Sequence, residues 1–363
     1  MIRIENFDPA LFLRDYWQRK PLLIRQALPG FTDPLSAEEL AGLALEEEFE
    51  SRLVETRGSD WHFEQGPLAD DSFQRDKPWT VLVQAVDQHH PGVAQLRQLI
   101  SFLPQWRIDD VMVSYATAGG GVGPHYDNYD VFLLQGMGQR RWQIGQACLP
   151  QEPLLDHDQL RILADFQQTE EYLLEAGDIL YLPPRLAHWG TALGDCLTYS
   201  IGLRAPRLND MLSRWLDQVL EGLDPEGFYT DPPLTAAKRA GELSSQAINS
   251  AIDQLQSALA NRTEDPRWLG ELVTEPRYEP MLPAGDRQWT DQDPAQLCPA
   301  ARLAWSQQDG QLWVFANGSS LAVEPACQSL VEALCAGDQV YPDCQAQREL
   351  LAELYQLGCI DDI

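Results

Sequence analysis

Between residues 79 and 205 the apolar positions come in short runs bounded by Gly, Pro or Asp: WTVLVQAV, DDVMVSYAT, DVFLLQG, RRWQIG, EYLLEAG, DILYLP and LTYSIGLRA. Runs of this length, rich in β-branched and aromatic residues, predict strands, and so many at this spacing predict a β-sandwich or barrel. Ahead of them, Phe12, Leu13, Tyr16 and Trp17 have helical spacing, Pro21 ends that helix, and Leu22-Leu23-Ile24 reads as a short strand. The segment SAEELAGLALEEEFESRLVETR opens with a capping-box pair, Ser36 and Glu39, and predicts a helix running into a strand.

The period changes at Pro206. Met211, Leu212, Trp215, Leu216, Val219, Leu220 and Leu223 fall on one helical stripe, with Asn209 or Asp210 as the expected cap and Pro225 as the stop. A second long helix is predicted over 234–262, with Ile248, Ile252, Leu255 and Leu259 in line. Two or three amphipathic helices cannot enclose a core, so their stripes must be buried on the barrel or on a second copy of the chain. After the Pro-rich stretch 276–299, QLWVFANGSSLAV predicts a hairpin turning at Asn317-Gly318, followed by helices at about 325–336 and 343–357. The expected fold is α+β with a mainly-β core. Residues 1–207 form the barrel with N-terminal helices, 208–272 a helical region, and 273–363 a small winged-helix-like unit.

Charge narrows the partners. The 363 residues carry 55 acids against 26 basic groups, a net charge of −29, with Lys20, Lys77 and Lys238 the only lysines. Such a surface repels nucleic-acid phosphate; it serves solubility and suits a basic partner. Residues 301–363 hold two basic groups, Arg302 and Arg348, against nine acids, which argues against direct DNA binding by the winged-helix-like unit. No apolar run approaches the roughly 18–20 residues of a membrane span, and the start lacks a signal-peptide core, so a cytoplasmic protein without a membrane partner is expected. Seven scattered cysteines without a C-x-x-C pair fit reduced thiols.

The chemistry rests on few residues. His125 and Asp127 are two apart, so on an extended chain both point to one face, and His188 stands ready to close the set from another strand. Two imidazoles and a carboxylate with open positions beside them suit non-haem iron(II). His188 follows the strand ILYLP and the stop Pro183-Pro184, and begins or precedes the strand carrying Trp189. The Gly-rich AGGGVGP before His125 reads as a flexible loop; it lacks the helix and Lys-Ser/Thr of a phosphate loop. His89 and His90, adjacent in a predicted loop, chelate poorly together; His157, in the acidic DHD, could hold a stray cation; His62 has no placed role. Period two puts Arg140 with Trp142 and Ile144; if that face is interior, the guanidinium is buried and needs an anion, which a carboxylate co-substrate would supply. Ser114 shares a strand face with Met112, and the pattern leaves open which face is interior.

With His125-x-Asp127, the distal His188 in its GDILYLP setting, and Arg140 fifteen positions after the first histidine, the chain resembles the JmjC branch of the iron- and 2-oxoglutarate-dependent oxygenases. FLRDYWQRKPLLIRQALPGF and WRIDDVMVSYATAGGGVGPHYDNYDVFLLQGMGQRRWQIG are similar to the bacterial ribosomal oxygenases, and the likeness extends over nearly the whole chain. That resemblance implies a double-stranded β-helix barrel of the JmjC/cupin type, a helical dimerisation region giving a homodimer through 208–272, and a C-terminal winged-helix unit. It implies iron(II) on His125, Asp127 and His188, 2-oxoglutarate on Arg140 and Ser114, O2 as co-substrate, and hydroxylation of an arginine in a large-subunit ribosomal protein. A histidyl hydroxylase, a demethylase of a basic protein, or a metal-binding scaffold for ribosome assembly are the competing readings. Tyr126, Tyr129 and Asp130 lie near the triad in sequence, with no substrate-contacting residue assigned.

Overall fold

A computed structural model describes residues 2–233, 241–260, 265–277, 289–290 and 294–360. By its internal contacts the chain divides into two units: Met1–Ala205 with Gln296–Ala301 and Cys335–Gln339, and Pro206–Ala295 with Arg302–Leu334 and Val340–Ile363.

The first unit begins with α1 (Pro9–Asp15), whose Asp8 cap accepts from Ala10 and Leu11. β1 (Leu22–Ile24) follows, then α2 (Ala37–Leu43), which carries the expected Ser36/Glu39 capping box. The remaining elements are β2 (Ser51–Arg57), β3 (Asp60–Gln65), β4 (Trp79–Val83), α3 (Pro91–Ala94), β5 (Ile108–Ala116), β6 (Val131–Gln135), β7 (Arg140–Ala147), β8 (Glu170–Leu174), β9 (Ile179–Leu182), β10 (Leu186–Ala192) and β11 (Cys196–Leu203). An antiparallel sheet runs β1-β9-β6-β11-β5-β4-β2-β3, and a smaller one runs β10-β7-β8. Val131, Leu133, Trp142, Ile144, Leu174, Leu180 and Leu182 pack together from both sheets and make the barrel core. The other face of the large sheet buries Val111, Val113, Phe132, Tyr181 and Tyr199 beneath Phe12 of α1 and Leu40 of α2. This resolves the alternation along β5: the odd positions Val111 and Val113 face these helices, so Met112 and Ser114 face the other way, into the barrel.

Two strands go beyond the predicted runs. β3 pairs with β2, and its polar sequence DWHFEQ hides the signal. β10 starts at Leu186, so His188 sits inside the strand rather than before it. The pairing of β10 with β7 shifts register between Leu186 and His188. Such an irregularity re-aims a side chain, which is why bulges gather at functional sites.

In the second unit, α4 (Leu208–Glu221) and α5 (Ser245–Ala260) have no buried side chain, and Leu212, Leu216, Ile248 and Ile252 of the predicted stripes are exposed. The expected Asn209 or Asp210 cap is corrected: both lie within the first turn, and Arg207 occupies the cap position without a side-chain bond. The second helix is shorter than predicted, because Gly241 at φ +77° interrupts the chain and the Ser244 hydroxyl caps at Ala247 N–H. Residues 234–240 and 261–262 of that prediction lie outside the described residues. α6 (Arg267–Thr274) precedes a sheet of β12 (Leu303–Gln308), β13 (Gln311–Ala316) and β14 (Ser319–Val323). Asn317 and Gly318, at φ +46° and +83°, make the predicted turn between β13 and β14. α7 (Gln328–Cys335) and α8 (Gln345–Gln356) complete the predicted helix-and-hairpin unit.

Candidate metal centre

His125 and His188 are joined backbone to backbone. His125 N–H donates to the His188 carbonyl at 3.0 Å, and His188 N–H returns the bond at 2.8 Å. This bridge places the two rings 4.3 Å apart, centroid to centroid. Asp127 lies past the bridge, outside any strand, and its Oδ2 is 3.6 Å from His188 Nε2. One ligand atom from each of the three residues can be chosen so that all lie within 4.8 Å of one another.

The tautomers follow from the partners. His125 Nδ1 is 2.9 Å from the Gly123 carbonyl, and His188 Nδ1 is 2.9 Å from the Leu186 carbonyl. A carbonyl oxygen only accepts, so each Nδ1 carries the hydrogen and each Nε2 lone pair is left for a metal. Burial, and then the neighbouring His125, push the His188 pKa down to about 4. Its imidazole is therefore neutral at ordinary pH, the form that ligates.

The loop after His125 is held at both ends. Arg185 N–H, on a residue at φ +61°, donates to the Asp127 carbonyl. Asp130 is fully buried and accepts from the Tyr181 hydroxyl (2.6 Å), Gln18 Nε2 (3.0 Å) and Arg107 (3.3 Å). Asp130 is thus an anchor for the loop rather than a rim residue. Tyr126 packs against Cys148, Leu163 and Ala187. Tyr129 is 42% exposed, but its phenol pKa is raised, first by the Asp127 charge, then by burial and by Asp110.

Arg140 is 6% exposed on the interior face of β7. Its guanidinium donates to Ser114 Oγ at 3.3 Å and lies 5.8 Å from the Trp142 ring centre. Arg140 Nε and Trp142 Nε1 are buried without a hydrogen-bond partner, and no ion pair to Arg140 is found among the described residues. A buried cation and an orphaned indole N–H on neighbouring residues of one strand face are costly unless an acceptor reaches them. Trp142 links this cation to the triad, its ring centre 5.8 Å from the Arg140 guanidinium and 5.8 Å from that of His188, so a dicarboxylate suits the pair of sites chemically. The donor set and the unpaired buried guanidinium therefore both fit a metal with a keto-acid co-substrate.

Other expectations change. The Gly-rich segment serves close packing rather than flexibility: a methyl on Gly121 would stand 2.3 Å from the Gly190 carbonyl oxygen, and one on Gly123 2.9 Å from the Trp61 ring. His90 accepts from Val93 N–H and caps α3, and His89 lies 4.6 Å from the Phe49 ring centre. Both ring nitrogens of His157 are engaged by backbone groups, so it offers no cation ligand. The sequence reading missed Asp110, which is buried and accepts from Gln84 Nε2 and Ala85 N–H. Its period-two spacing from Met112 and Ser114 is the signal that would have put it on the interior face.

Residues 95–211 match the JmjC domain family and residues 257–360 the ROXA-like winged helix family. The ribosomal protein uL16 3-hydroxylase of Escherichia coli is 36% identical, over 74% of this chain and 72% of its own length. A probable ribosomal oxygenase of Haemophilus influenzae is 36% identical over 87% of this chain and 83% of its own. The solved structure of YcfD, a ribosomal oxygenase from Escherichia coli, in complex with cobalt and 2-oxoglutarate, superposes with a TM-score of 0.84 at 29% identity, over 99% of both chains. No helix among the described residues is long and apolar enough to cross a membrane.

Proposed function

This chain belongs to the ribosomal oxygenases of the JmjC branch, 2-oxoglutarate-dependent protein hydroxylases, and from that premise we propose that it hydroxylates an arginine side chain of the large-subunit ribosomal protein uL16. The observation that carries the reading is Arg140: a buried guanidinium with no carboxylate partner among the described residues, in the barrel that also holds His125, Asp127 and His188. A scaffold has no use for such a cation.

Iron(II) would be held by His125 Nε2, Asp127 and His188 Nε2. When bound, it supplies the oxidising chemistry that takes one O2 and one 2-oxoglutarate to succinate, carbon dioxide and a hydroxylated C–H bond. Arg140 and Ser114 would take the distal carboxylate of 2-oxoglutarate, the guanidinium as a charge-assisted donor and the hydroxyl as a second. Leu174, paired across the strands with Arg140, and Trp142 belong to the apolar barrel core, which would keep water from that carboxylate. The carboxylates of Asp127 and Asp110 both lie near enough to Tyr129 to hold its phenol neutral, and acids beside an aromatic ring suit a guanidinium brought to the metal. Sites of this kind act mainly by positioning, so the reacting carbon must be set by these contacts rather than by the metal.

The same reading gives the rest of the chain a use. We assign 1–207 to catalysis, 208–272 to a homodimer contact through the exposed α4 and α5 stripes, and 273–363 to the winged-helix-like unit. A net charge of −29 suits capture of a basic ribosomal protein in the cytoplasm before it is assembled. The test is anaerobic loading with iron(II), then exposure to air with 2-oxoglutarate and a uL16 peptide. Succinate should form together with a single-oxygen mass gain on arginine. Asp127→Ala should abolish both while leaving thermal melting unchanged. A gain on histidine, or loss of methyl groups, would replace the arginine reading.

A further inference from the structure

His157 lies at the tip of the excursion between β7 and β8. The excursion closes on itself through Leu155 N–H to the Ile162 carbonyl (2.8 Å) and Ala164 N–H to the Pro153 carbonyl (3.0 Å). At its tip, His157 Nδ1 accepts from the N–H groups of Gln159 (3.1 Å) and Leu160 (3.0 Å), folding the turn around the ring. With Nδ1 accepting, Nε2 carries the hydrogen and donates to the Trp61 carbonyl at 3.0 Å, on β3 and 96 residues away in sequence.

Trp61 leads to the metal ligands. Its indole belongs to a cluster with Leu160, Ile162 and Trp189, its ring centre 6.2 Å from that of Trp189. The same indole lies against Gly123, where a methyl group would stand 2.9 Å from the ring. Gly123 supplies the carbonyl that fixes the Nδ1–H tautomer and the orientation of His125. The next residue, Pro124, accepts from Leu163 N–H at 2.8 Å, so the excursion grips the same segment at its base.

We propose that His157 is a positioning residue for the metal centre. By clamping β3 to the β7–β8 excursion it holds Trp61 against Gly123 and so sets the aim of His125. The role rests on the reading of His125, Asp127 and His188 as the metal ligands. Groups bonded directly to a ligand typically change metal affinity 10- to 100-fold; His157 acts one step further back, through Trp61 and Gly123, which sets its effect at the low end of that range, and a rigid ring that accepts at one end and donates at the other is what this clamp requires.

Cobalt(II) alone is the probe, titrated into the metal-free full chain by calorimetry and by the visible absorption of the bound ion. His157→Ala removes all three bonds. His157→Asn keeps a side-chain oxygen able to accept from the turn N–H groups but cannot reach the Trp61 carbonyl. Both variants should bind cobalt about tenfold or more weakly, with a shifted absorption band and faster amide exchange over residues 157–163; thermal melting establishes that each is folded. Wild-type affinity in both, or full rescue by asparagine, would overturn the clamp. Asp127→Ala, run alongside, separates the two levels: if it keeps wild-type cobalt affinity, the ligand assignment falls and the clamp with it. If it loses cobalt while both His157 variants keep it, only the clamp falls.

Discussion

In the barrel, the unmet groups are polar and buried: the Arg140 guanidinium with its partnerless Nε, and the Trp142 indole N–H. Along α4 and α5 an apolar stripe stands exposed, with Leu212 at 54% and Ile252 at 46%. Each surface is incomplete, and what is missing has the opposite chemistry. A buried donor set calls for a small anion that fits inside the fold. An exposed leucine and isoleucine stripe calls for an apolar surface of matching length, which a second copy of the same helices would provide. On the proposed function, the first would complete a reaction site and the second an assembly.

Changing Arg140 tests the buried half of this contrast. Charge-assisted hydrogen bonds contribute about 1.5–3 kcal/mol, so Arg140→Ala should weaken 2-oxoglutarate binding to cobalt-loaded protein by roughly 10- to 100-fold, with cobalt affinity unchanged. Arg140→Leu should melt no lower than wild type without 2-oxoglutarate, because it removes an unpaired buried charge. Added 2-oxoglutarate should raise the melting temperature of wild type alone. If Arg140→Leu instead melted several degrees lower, the guanidinium would be a structural group and half of the comparison would be lost.

The helices come next. Burying one leucine is worth about 1.5–3 kcal/mol, so Leu212→Glu combined with Leu216→Glu should weaken self-association by on the order of 100-fold or more, turning a dimer into a monomer in sedimentation. Cobalt and 2-oxoglutarate binding should survive. An unchanged mass would show that the stripe serves another purpose, and a lost cobalt site would show that the two regions are not separable.

The smallest effect concerns the surface charge. Raising salt from low to physiological strength should lower kcat/KM on a basic peptide by roughly three- to tenfold, through slower capture and without a matching fall in kcat. No change would leave the net charge of −29 as a matter of solubility.

Much of the barrel and of the small helix-and-hairpin unit was legible because its signals are local. Period-two runs, the Ser36/Glu39 capping box and the Asn317-Gly318 turn each lie within a few residues, and each appears where expected. β3 was not legible, since an edge strand with one wet face carries a polar sequence. The glycines before His125 were read as flexible because sequence does not show what lies against them, and Trp61 arrives from some sixty residues upstream. His157 suffered the same way: an acidic flank suggested a cation, whereas its partner is a carbonyl on another strand.

The sequence by itself determined the candidate metal-ligand types, the placing of a carboxylate two residues after His125, and the presence of a guanidinium on the Trp142 face of its strand. The first two are matters of residue chemistry and chain spacing, and the third of the fixed alternation along β7. Only the tertiary structure decided that Ser114 faces the barrel, that His188 aims inward from within a strand, that Asp130 is an anchor, and that His157 reaches Trp61. Each of these depends on which strands pair and in what register. Register comes from the summed burial of whole sheet faces, and no local stretch of sequence carries it.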